Sequence, residues 1–177
     1  MAVTKKDIVA RILRGRPCRS GAEGTAYAPA NIALCKYWGK RNDELNLPVT
    51  SSLSVSLGKL GSRARFVLGG ERDTVTLNGQ AIDSDLPFAQ RLFAFLDLFR
   101  PAPDAKFQVT AENTILTAAG FASSASGFAA VVMALDKLFG WQLDQRLLSI
   151  LARLGSGSAS RSVYTGFVEW HAGVAED

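Results

Sequence analysis

The sequence has few of the residues that build metal centres and disulfide frameworks. It contains one histidine, His171, and two cysteines, Cys18 and Cys35, with no C-x-x-C pair. A structural zinc site needs more ligands at closer spacing, and two cysteines cannot form a framework of several disulfides. These shortages exclude a zinc-centred or disulfide-stapled fold, and they favour a reducing, cytoplasmic compartment.

Long apolar runs and a strong excess of one charge are also missing. No apolar run is long enough to cross a membrane. The net charge of +4 suits anionic small molecules and is too modest to indicate nucleic acid. With 177 residues, 47% of them apolar, the chain is predicted to form a soluble domain with a substantial core and neither a membrane nor a nucleic-acid partner.

Basic residues are concentrated at the N-terminus, where six lie within the first 19 positions. The segment lacks the apolar core of a secretory signal. We interpret residues 1–24 as a basic extension that is solvated, with an arm that attracts phosphate or docks a partner as the alternative. Ile8, Val9, Ile12 and Leu13 have the spacing of one face of a short helix.

The periodicity of apolar residues predicts an α+β domain over residues 25–177. Ser52–Leu57 alternates polar and apolar residues, which is typical of a half-buried strand. Asn78-Gly79 is a tight-turn signal, and Gly140 is a helix stop. Strands precede helices without strict alternation, which favours α+β over a doubly wound sheet. Strands are predicted at 25–35, 52–57, 63–68, 74–77, 106–111 and 163–170, and helices at 86–99, 123–138 and 143–153.

The segment Thr117–Gly127 is a run of small residues that leads into an apolar helical pattern. Small side chains let the backbone approach a ligand closely, and the N-terminus of the following helix favours a phosphate group. Ser123 and Ser124 would offer hydroxyl and N–H groups to a triphosphate, and one of these hydroxyls also suits Mg²⁺. Close helix packing is the purely structural alternative. No lysine follows the glycine, so this is not the G-x-x-x-x-G-K-[ST] phosphate loop.

Two further segments suit anions. In the first, Lys36 and Lys40 flank Tyr37, Trp38 and Gly39. Lysines suit phosphate or carboxylate, and a tyrosine hydroxyl donates a hydrogen bond to either. The alternative is a strand end whose lysine side chains extend to water along an apolar surface.

The second anion-suited segment is Gly155–Arg161, with three serines and a closing arginine. Successive backbone N–H groups and a guanidinium form a nest that binds phosphate or carboxylate. A polar linker is the alternative. Arg91, on the 86–99 helix, is on spacing alone more typical of a solvated helix face.

Together these segments resemble one family. Asn31–Arg41, Leu45–Pro48 and Ser51–Val55 are similar to the opening of the diphosphomevalonate decarboxylases. Thr117–Gly127 resembles that family's version of the ATP loop of the GHMP kinase superfamily. Gly155–Ser162 and Gly166–Trp170 resemble its substrate-binding segment. The segments occur in the family's order.

The resemblance implies a fold and a reaction. The fold is the N-terminal domain of the GHMP kinases, which is like ribosomal protein S5 domain 2 and has a mixed sheet with helices on one face. In the reaction, ATP phosphorylates the tertiary hydroxyl of (R)-5-diphosphomevalonate, and phosphate and CO₂ then leave to give isopentenyl diphosphate in the mevalonate pathway. ATP and Mg²⁺ are the implied cofactors, and a homodimer is compatible with the resemblance.

The resemblance also implies roles for individual residues. Arg161 would bind the substrate carboxylate, Asn31 would orient it, and Lys36 would lie beside the reacting hydroxyl. Ser124 would also reach Mg²⁺. The remaining substrate contacts would be Tyr37, Trp38, Gly39, Lys40, Arg91, Ser156, Gly157, Ser158, Ala159 and Ser160, and the ATP contacts Gly120, Ala122, Ser123, Ser124 and Ala125.

The match departs from the family pattern in two respects. The family continues for about as long again into a second domain, and the aspartate of an Asp-x-Gly-x-Asn segment in that domain is held to act on the tertiary hydroxyl. No aspartate here stands in such a segment, and we interpret Asp83, Asp85, Asp136 and Asp144 as structural or solvated. Ser160 stands where the family commonly has cysteine. We therefore expect that this chain alone does not complete the reaction.

Three alternatives stay open at this point. One is a decarboxylase of the monophosphate or a mevalonate-type kinase. Another is a non-catalytic fragment that binds nucleotide or dimerises. The third, an RNA-binding module, is disfavoured by the modest charge.

Overall fold

The structure is a computed structural model that describes residues 3–18, 21–114 and 123–175. Helices and strands follow one another in mixed order, which confirms the predicted α+β class. The helices are Lys5–Leu13 (α1), Pro87–Leu96 (α2), Ser123–Phe139 (α3) and Gln145–Gly155 (α4), with a 3₁₀-helix at Gly157–Arg161. The strands are Gly24–Cys35 (β1), Lys40–Asn42 (β2), Leu47–Pro48 (β3), Ser52–Leu68 (β4), Thr74–Leu77 (β5), Gln80–Ile82 (β6), Phe107–Asn113 (β7) and Phe167–Trp170 (β8).

Strand β4 is the centre of the main sheet. The strand order is β1-β4-β7-β5-β6, and β8 pairs with the first half of β4. β5 runs parallel to β7 while the other pairs are antiparallel. The sheet is therefore mixed, as the resemblance implied, and a smaller sheet joins β2 to β3.

Helix α3 packs directly on strands β1 and β4. A Cβ atom at Gly24 would lie 2.1 Å from the carbonyl oxygen of Ala134, so only glycine permits this approach of strand and helix. Phe66, Phe107 and Phe139 are fully buried between the sheet and the helices. The core thus lies between one face of the sheet and its helices.

Two sequence predictions are wrong in their boundaries. The segments 52–57 and 63–68 belong to one 17-residue strand, because β1 pairs with both of them. The register shifts between Pro29, opposite Gly61, and Asn31, opposite Ser56, so the extra residues bulge without ending the pairing. The last strand begins only at Phe167, because a turn follows the 3₁₀-helix.

The predicted turn and stop residues are confirmed. Asn78 and Gly79 both have positive φ, 50° and 82°, in the turn between β5 and β6. Gly140 has φ of 66° just after α3. The structural interpretation of the aspartates fits for Asp144, which accepts a hydrogen bond from Leu147 N at the start of α4 at 2.8 Å.

The N-terminal segment is not simply solvated, because α1 docks on the domain. Thr4 caps the helix together with Asp7 in a capping box. Ile8, Val9 and Ile12 are buried, which confirms the predicted helix face. Helix α1 contacts α4, and the guanidinium of Arg16 donates to the carbonyls of Trp141 and Gln142, each at 3.3 Å.

The opposite face of the sheet is apolar and exposed near β8. Ile32, Val55 and Phe167 are directly paired across β1, β4 and β8, so they form one row. Phe167 is 74% exposed and Leu34, two residues along β1 from Ile32, is 57% exposed. Among the described residues, no helix has the length and hydropathy needed to span a bilayer.

We predict that Ile8→Ala lowers the free energy of unfolding by about 2–5 kcal/mol, since it leaves a cavity under α1. Ile8 is 0% exposed. Chemical denaturation measures the change. Lys6→Ala, on the exposed face of the same helix, is the control and should stay within about 0.5 kcal/mol of the parent. Equal stability of Ile8→Ala and the parent would show that α1 does not dock in solution.

Candidate active site

Arg161 is the most buried charged group of the candidate site. The 3₁₀-helix places its side chain against strand β4, where it is 3% exposed. Its Nε donates to Ser54 Oγ at 3.1 Å and its Nη1 to Ser52 Oγ at 2.7 Å. The predicted arginine is thus held in place by two serines that the sequence analysis did not select.

Asn31 joins strand β1 to the same cluster. Its Oδ1 accepts a long hydrogen bond from Arg161 Nη2 at 3.5 Å. Its Nδ2 donates to Ser162 Oγ at 2.7 Å and to the Ser158 carbonyl at 3.2 Å. Because every donor and acceptor of this amide faces a partner, Asn31 fixes the 3₁₀-helix relative to the sheet.

The charge of Arg161 has no carboxylate partner among the described residues. Burial lowers the pKa of its guanidinium, and the electrostatic influence of Tyr37 opposes this lowering. An arginine stays protonated in proteins, so a buried positive charge faces only neutral acceptors. Such a group suits an anionic ligand, which it binds through two parallel hydrogen bonds.

Two aromatic rings lie against this cluster. The Trp170 ring centroid is 5.8 Å from the guanidinium carbon of Arg161, within cation–π range. Tyr37 packs edge-on against Trp170 with 5.1 Å between ring centroids. A Cβ atom at Gly157 would lie 2.7 Å from the Tyr37 hydroxyl, so a larger residue here would displace the tyrosine ring.

The remaining serines of the 155–161 segment divide into two groups. Ser160 is buried and donates to the Gly157 carbonyl at 2.7 Å, and Ala159 is fully buried, so both build the turn itself. Ser156 and Ser158 are only partly buried, and their hydroxyls lie 3.2 Å apart. The segment is therefore a compact helical turn rather than an open loop, and Ser156 and Ser158 lie at its partly exposed edge.

The other members of the Lys36–Lys40 segment lie at the surface. Lys36 is exposed just after β1, and Trp38 is 78% exposed. Gly39 has a φ of 70° in the connection that directly precedes β2. Lys40 is paired loosely with Asp43 at 3.8 Å. The structure therefore brings Tyr37 to Arg161, while Lys36, Trp38 and Lys40 face solvent.

A cavity lies beside the first turn of α3. It has a volume of about 140 Å³ and lies between α2, α3 and strands β4 and β7. Arg91 and Ser124, predicted from different motifs, both line it. The guanidinium of Arg91 stacks on Phe128 at 5.2 Å and donates to the Gly155 carbonyl at 3.0 Å. Arg91 thus links this cavity to the segment that carries Arg161.

The predicted ATP residues are only partly within the described chain. Gly120 and Ala122 lie outside the described residues, and Ser123 is described only as the first residue of α3. Ser124 is exposed, whereas Ala125 is fully buried. Ser124 therefore lies at the cavity wall, whereas the side chain of Ala125 is packed in the core.

Sequence reasoning missed Ser52, Ser54, Ser162 and Trp170. The alternation of residues 52–57 predicts a half-buried strand without saying which face is buried, and Ser52 and Ser54 are only 2% and 0% exposed. The apolar residues that alternate with them, Leu53 and Val55, are the more exposed ones. The alternating pattern indicates only that these serines share one face of the strand.

We predict that Gly157→Ala destabilises the protein by about 1–3 kcal/mol, because its Cβ would displace the Tyr37 hydroxyl. Tyr37→Phe in the same chain should recover part of this loss. A double-mutant cycle in denaturant measures the coupling between the two positions. Gly127→Ala is the matched glycine control, since a Cβ there meets no atom within 4 Å. A coupling energy near zero would contradict the contact.

Fold and site together define an α+β domain that has a buried cationic cluster at Arg161 and a cavity beside α3, linked by Arg91. The family model for the "diphosphomevalonate decarboxylase-like N-terminal domain" matches residues 28–177. The chain therefore belongs to the family of diphosphomevalonate decarboxylase-like N-terminal domains.

Curated relatives agree with this assignment. Diphosphomevalonate decarboxylase of Candida albicans is 43% identical over 164 residues, which cover 85% of this chain and 45% of that protein. The human enzyme is 42% identical over 173 residues, covering 86% of this chain and 42% of the relative. The chain thus spans less than half the length of these relatives.

Solved structures show the same partial coverage. Mevalonate diphosphate decarboxylase from Staphylococcus aureus superposes with a TM-score of 0.81 at 38% identity, covering 88% of this chain and 47% of that one. The enzyme from Enterococcus faecalis gives a TM-score of 0.75 at 39% identity, with 88% and 49% coverage. A structure of MDDEF in complex with MVAPP, AMPPCP and magnesium matches at the same TM-score, 0.75, and identity, 39%.

Proposed function

We propose that this domain binds (R)-5-diphosphomevalonate and ATP for an ATP-dependent decarboxylation that yields isopentenyl diphosphate. The observation that carries the proposal is the Arg161 guanidinium, which is buried and has no carboxylate partner among the described residues. A buried, uncompensated cation is costly unless a ligand supplies the opposite charge. The substrate carboxylate supplies that charge.

The geometry supports distinct roles for the residues around Arg161. Arg161 grips the carboxylate, and Asn31 orients the 3₁₀-helix that carries it. Tyr37, Ser156 and Ser158 offer hydroxyls to the substrate. Lys40 is a surface cation that contributes to binding the diphosphate, and Lys36, also at the surface, lies beside the reacting hydroxyl. Arg91 reaches the substrate segment through its bond to Gly155.

The chemistry explains why such a site needs several fixed anion contacts. A tertiary hydroxyl is a poor leaving group, and phosphoryl transfer from ATP converts it into a good one. The C–O bond to phosphate then breaks, positive charge develops at that carbon, and the carboxylate C–C bond supplies the electron pair of the new double bond as CO₂ leaves. Holding both anionic ends in register provides much of the acceleration.

The ATP phosphates are assigned to the segment that ends at the start of α3. Ser124 is exposed at that helix end and lines the neighbouring cavity. The apolar walls of the cavity, among them Phe88 and Leu92, suit a nucleotide base. A serine hydroxyl together with ATP phosphates is a ligand set that Mg²⁺ accepts, and bound Mg²⁺ neutralises phosphate charge.

We expect Arg161→Ala to weaken binding of (R)-5-diphosphomevalonate at least about 30-fold, because it removes the charge that faces the carboxylate. Arg161→Lys keeps the positive charge but loses the bidentate geometry, so its affinity for the substrate should lie between those of the parent and Arg161→Ala. Isothermal titration calorimetry measures the affinities. Arg65→Ala removes a surface arginine paired with Glu23 and serves as the control for net charge. If Arg161→Ala bound the substrate as tightly as the parent, the assignment would be lost.

We expect Gly127→Leu to weaken MgATP binding at least about tenfold, because its side chain would fill the cavity. Gly127 lines the cavity and has open space at its Cβ, so the substitution meets no clash. Gly127→Ala should raise stability by about 0.5–1 kcal/mol through helix propensity and leave MgATP affinity unchanged. Unaltered MgATP affinity in Gly127→Leu would exclude this cavity as the nucleotide pocket.

Two further assignments belong to this proposal. A second copy of the chain would cover the apolar row of Ile32, Val55 and Phe167, which supports the homodimer. The scarcity of cysteine supports a cytoplasmic location.

A further inference from the structure

We infer that Ser52 and Ser54 are positioning residues that hold Arg161 by neutral hydroxyls and thereby keep its charge for a carboxylate ligand. This inference rests on the proposed function, because it assigns the two serines to carboxylate recognition at the same site. It concerns how the site discriminates a carboxylate-bearing ligand from a diphosphate that lacks one.

The backbone of β4 fixes where both hydroxyls point. Ser54 is paired with Ala33 of β1 on one side and with Val168 of β8 on the other. A strand hydrogen-bonded on both edges cannot shift its register without breaking two ladders. Ser52 and Ser54 are two residues apart and therefore face the same side, where both are buried against Arg161.

The guanidinium then has a defined set of N–H groups left for a ligand. Of its five N–H bonds, Nε–H is taken by Ser54, one on Nη1 by Ser52, and one on Nη2 by Asn31. Within the described chain, one N–H on each Nη is given no acceptor. Two N–H groups are what a carboxylate needs for a bidentate contact.

The neutrality of the two hydroxyls matters as much as their geometry. A carboxylate at either position would form a buried ion pair with Arg161 and neutralise it. A hydroxyl accepts the same hydrogen bond and contributes only a dipole. The charge of Arg161 is therefore oriented by the protein but compensated only when an anion binds.

Calorimetry with two ligands tests this inference. (R)-5-diphosphomevalonate carries the carboxylate, and isopentenyl diphosphate lacks it but keeps the diphosphate. We expect the parent to prefer the first ligand. Ser54→Ala should reduce that preference about tenfold, because it weakens binding of (R)-5-diphosphomevalonate and leaves binding of isopentenyl diphosphate unchanged. Ser54→Thr keeps the hydroxyl and should retain the parent's preference. Ser54→Asp should abolish the preference. Ser56→Ala, on the same strand face, is the control.

A spectroscopic readout reports the position of Arg161 without any ligand. The Arg161 Nε–H resonance in a ¹⁵N-correlated NMR spectrum should exchange slowly with water in the parent and in Ser54→Thr. It should exchange much faster in Ser54→Ala, because the acceptor is gone. This measurement uses a variant that removes one small hydroxyl, so it does not depend on the folding of the aspartate variant.

The outcomes separate the inference from the proposed function. If Ser54→Ala keeps the parent's preference and the protected Nε–H signal, the positioning role is refuted while the substrate assignment stands. If the parent binds neither ligand, or shows no preference for the carboxylate, the proposed function is refuted and this inference with it. Loss of preference and of protection in Ser54→Ala, with rescue in Ser54→Thr, establishes the role.

Discussion

A buried arginine tied to a central strand by two serine hydroxyls is the constraint around which the candidate site is arranged. Strand β4 buries Ser52 and Ser54, and its alternation therefore places Leu53 and Val55 on the opposite face. Because the strand has period two, the sheet cannot bury both sets on one side. The same alternation thus creates the polar cluster at Arg161 and the exposed apolar row on the far face.

The Arg161 cluster and the cavity beside α3 share structural elements. Strand β4 supplies Ser54 to the arginine cluster and Ser62 to the cavity beside α3, where Ser62 bonds Ser126 at 2.8 Å and Asn113 at 2.7 Å. Arg91 adds a second link through the Gly155 carbonyl. The same strand therefore borders the cavity at Ser62 and holds Arg161 through Ser54. This arrangement suits a reaction in which two substrates must be held in register.

Local signals were enough to predict most elements. The turn at Asn78-Gly79 and the stop at Gly140 follow from rules that act within a few residues, as does the apolar periodicity that predicts the helices. The inward serines of β4 could not be predicted this way, since alternation marks two faces without saying which one is buried. That choice depends on Arg161, more than 100 residues further along the chain. The continuity of β4 likewise depends on its pairing with β1. Of the predicted site, Arg161, Asn31, Tyr37 and Gly157 meet in space, whereas the surface position of Lys36 leaves its role to be tested.

The docked helix α1 has a consequence for the behaviour of the protein in solution. Residues 1–27 hold six basic and two acidic side chains of the 20 and 16 in the whole chain, so fourteen of each remain in residues 28–177. The segment that matches the family is formally neutral, and the N-terminal segment supplies the entire positive surplus. Mutual repulsion between molecules, and with it colloidal solubility at neutral pH, therefore originates in a segment outside the family match.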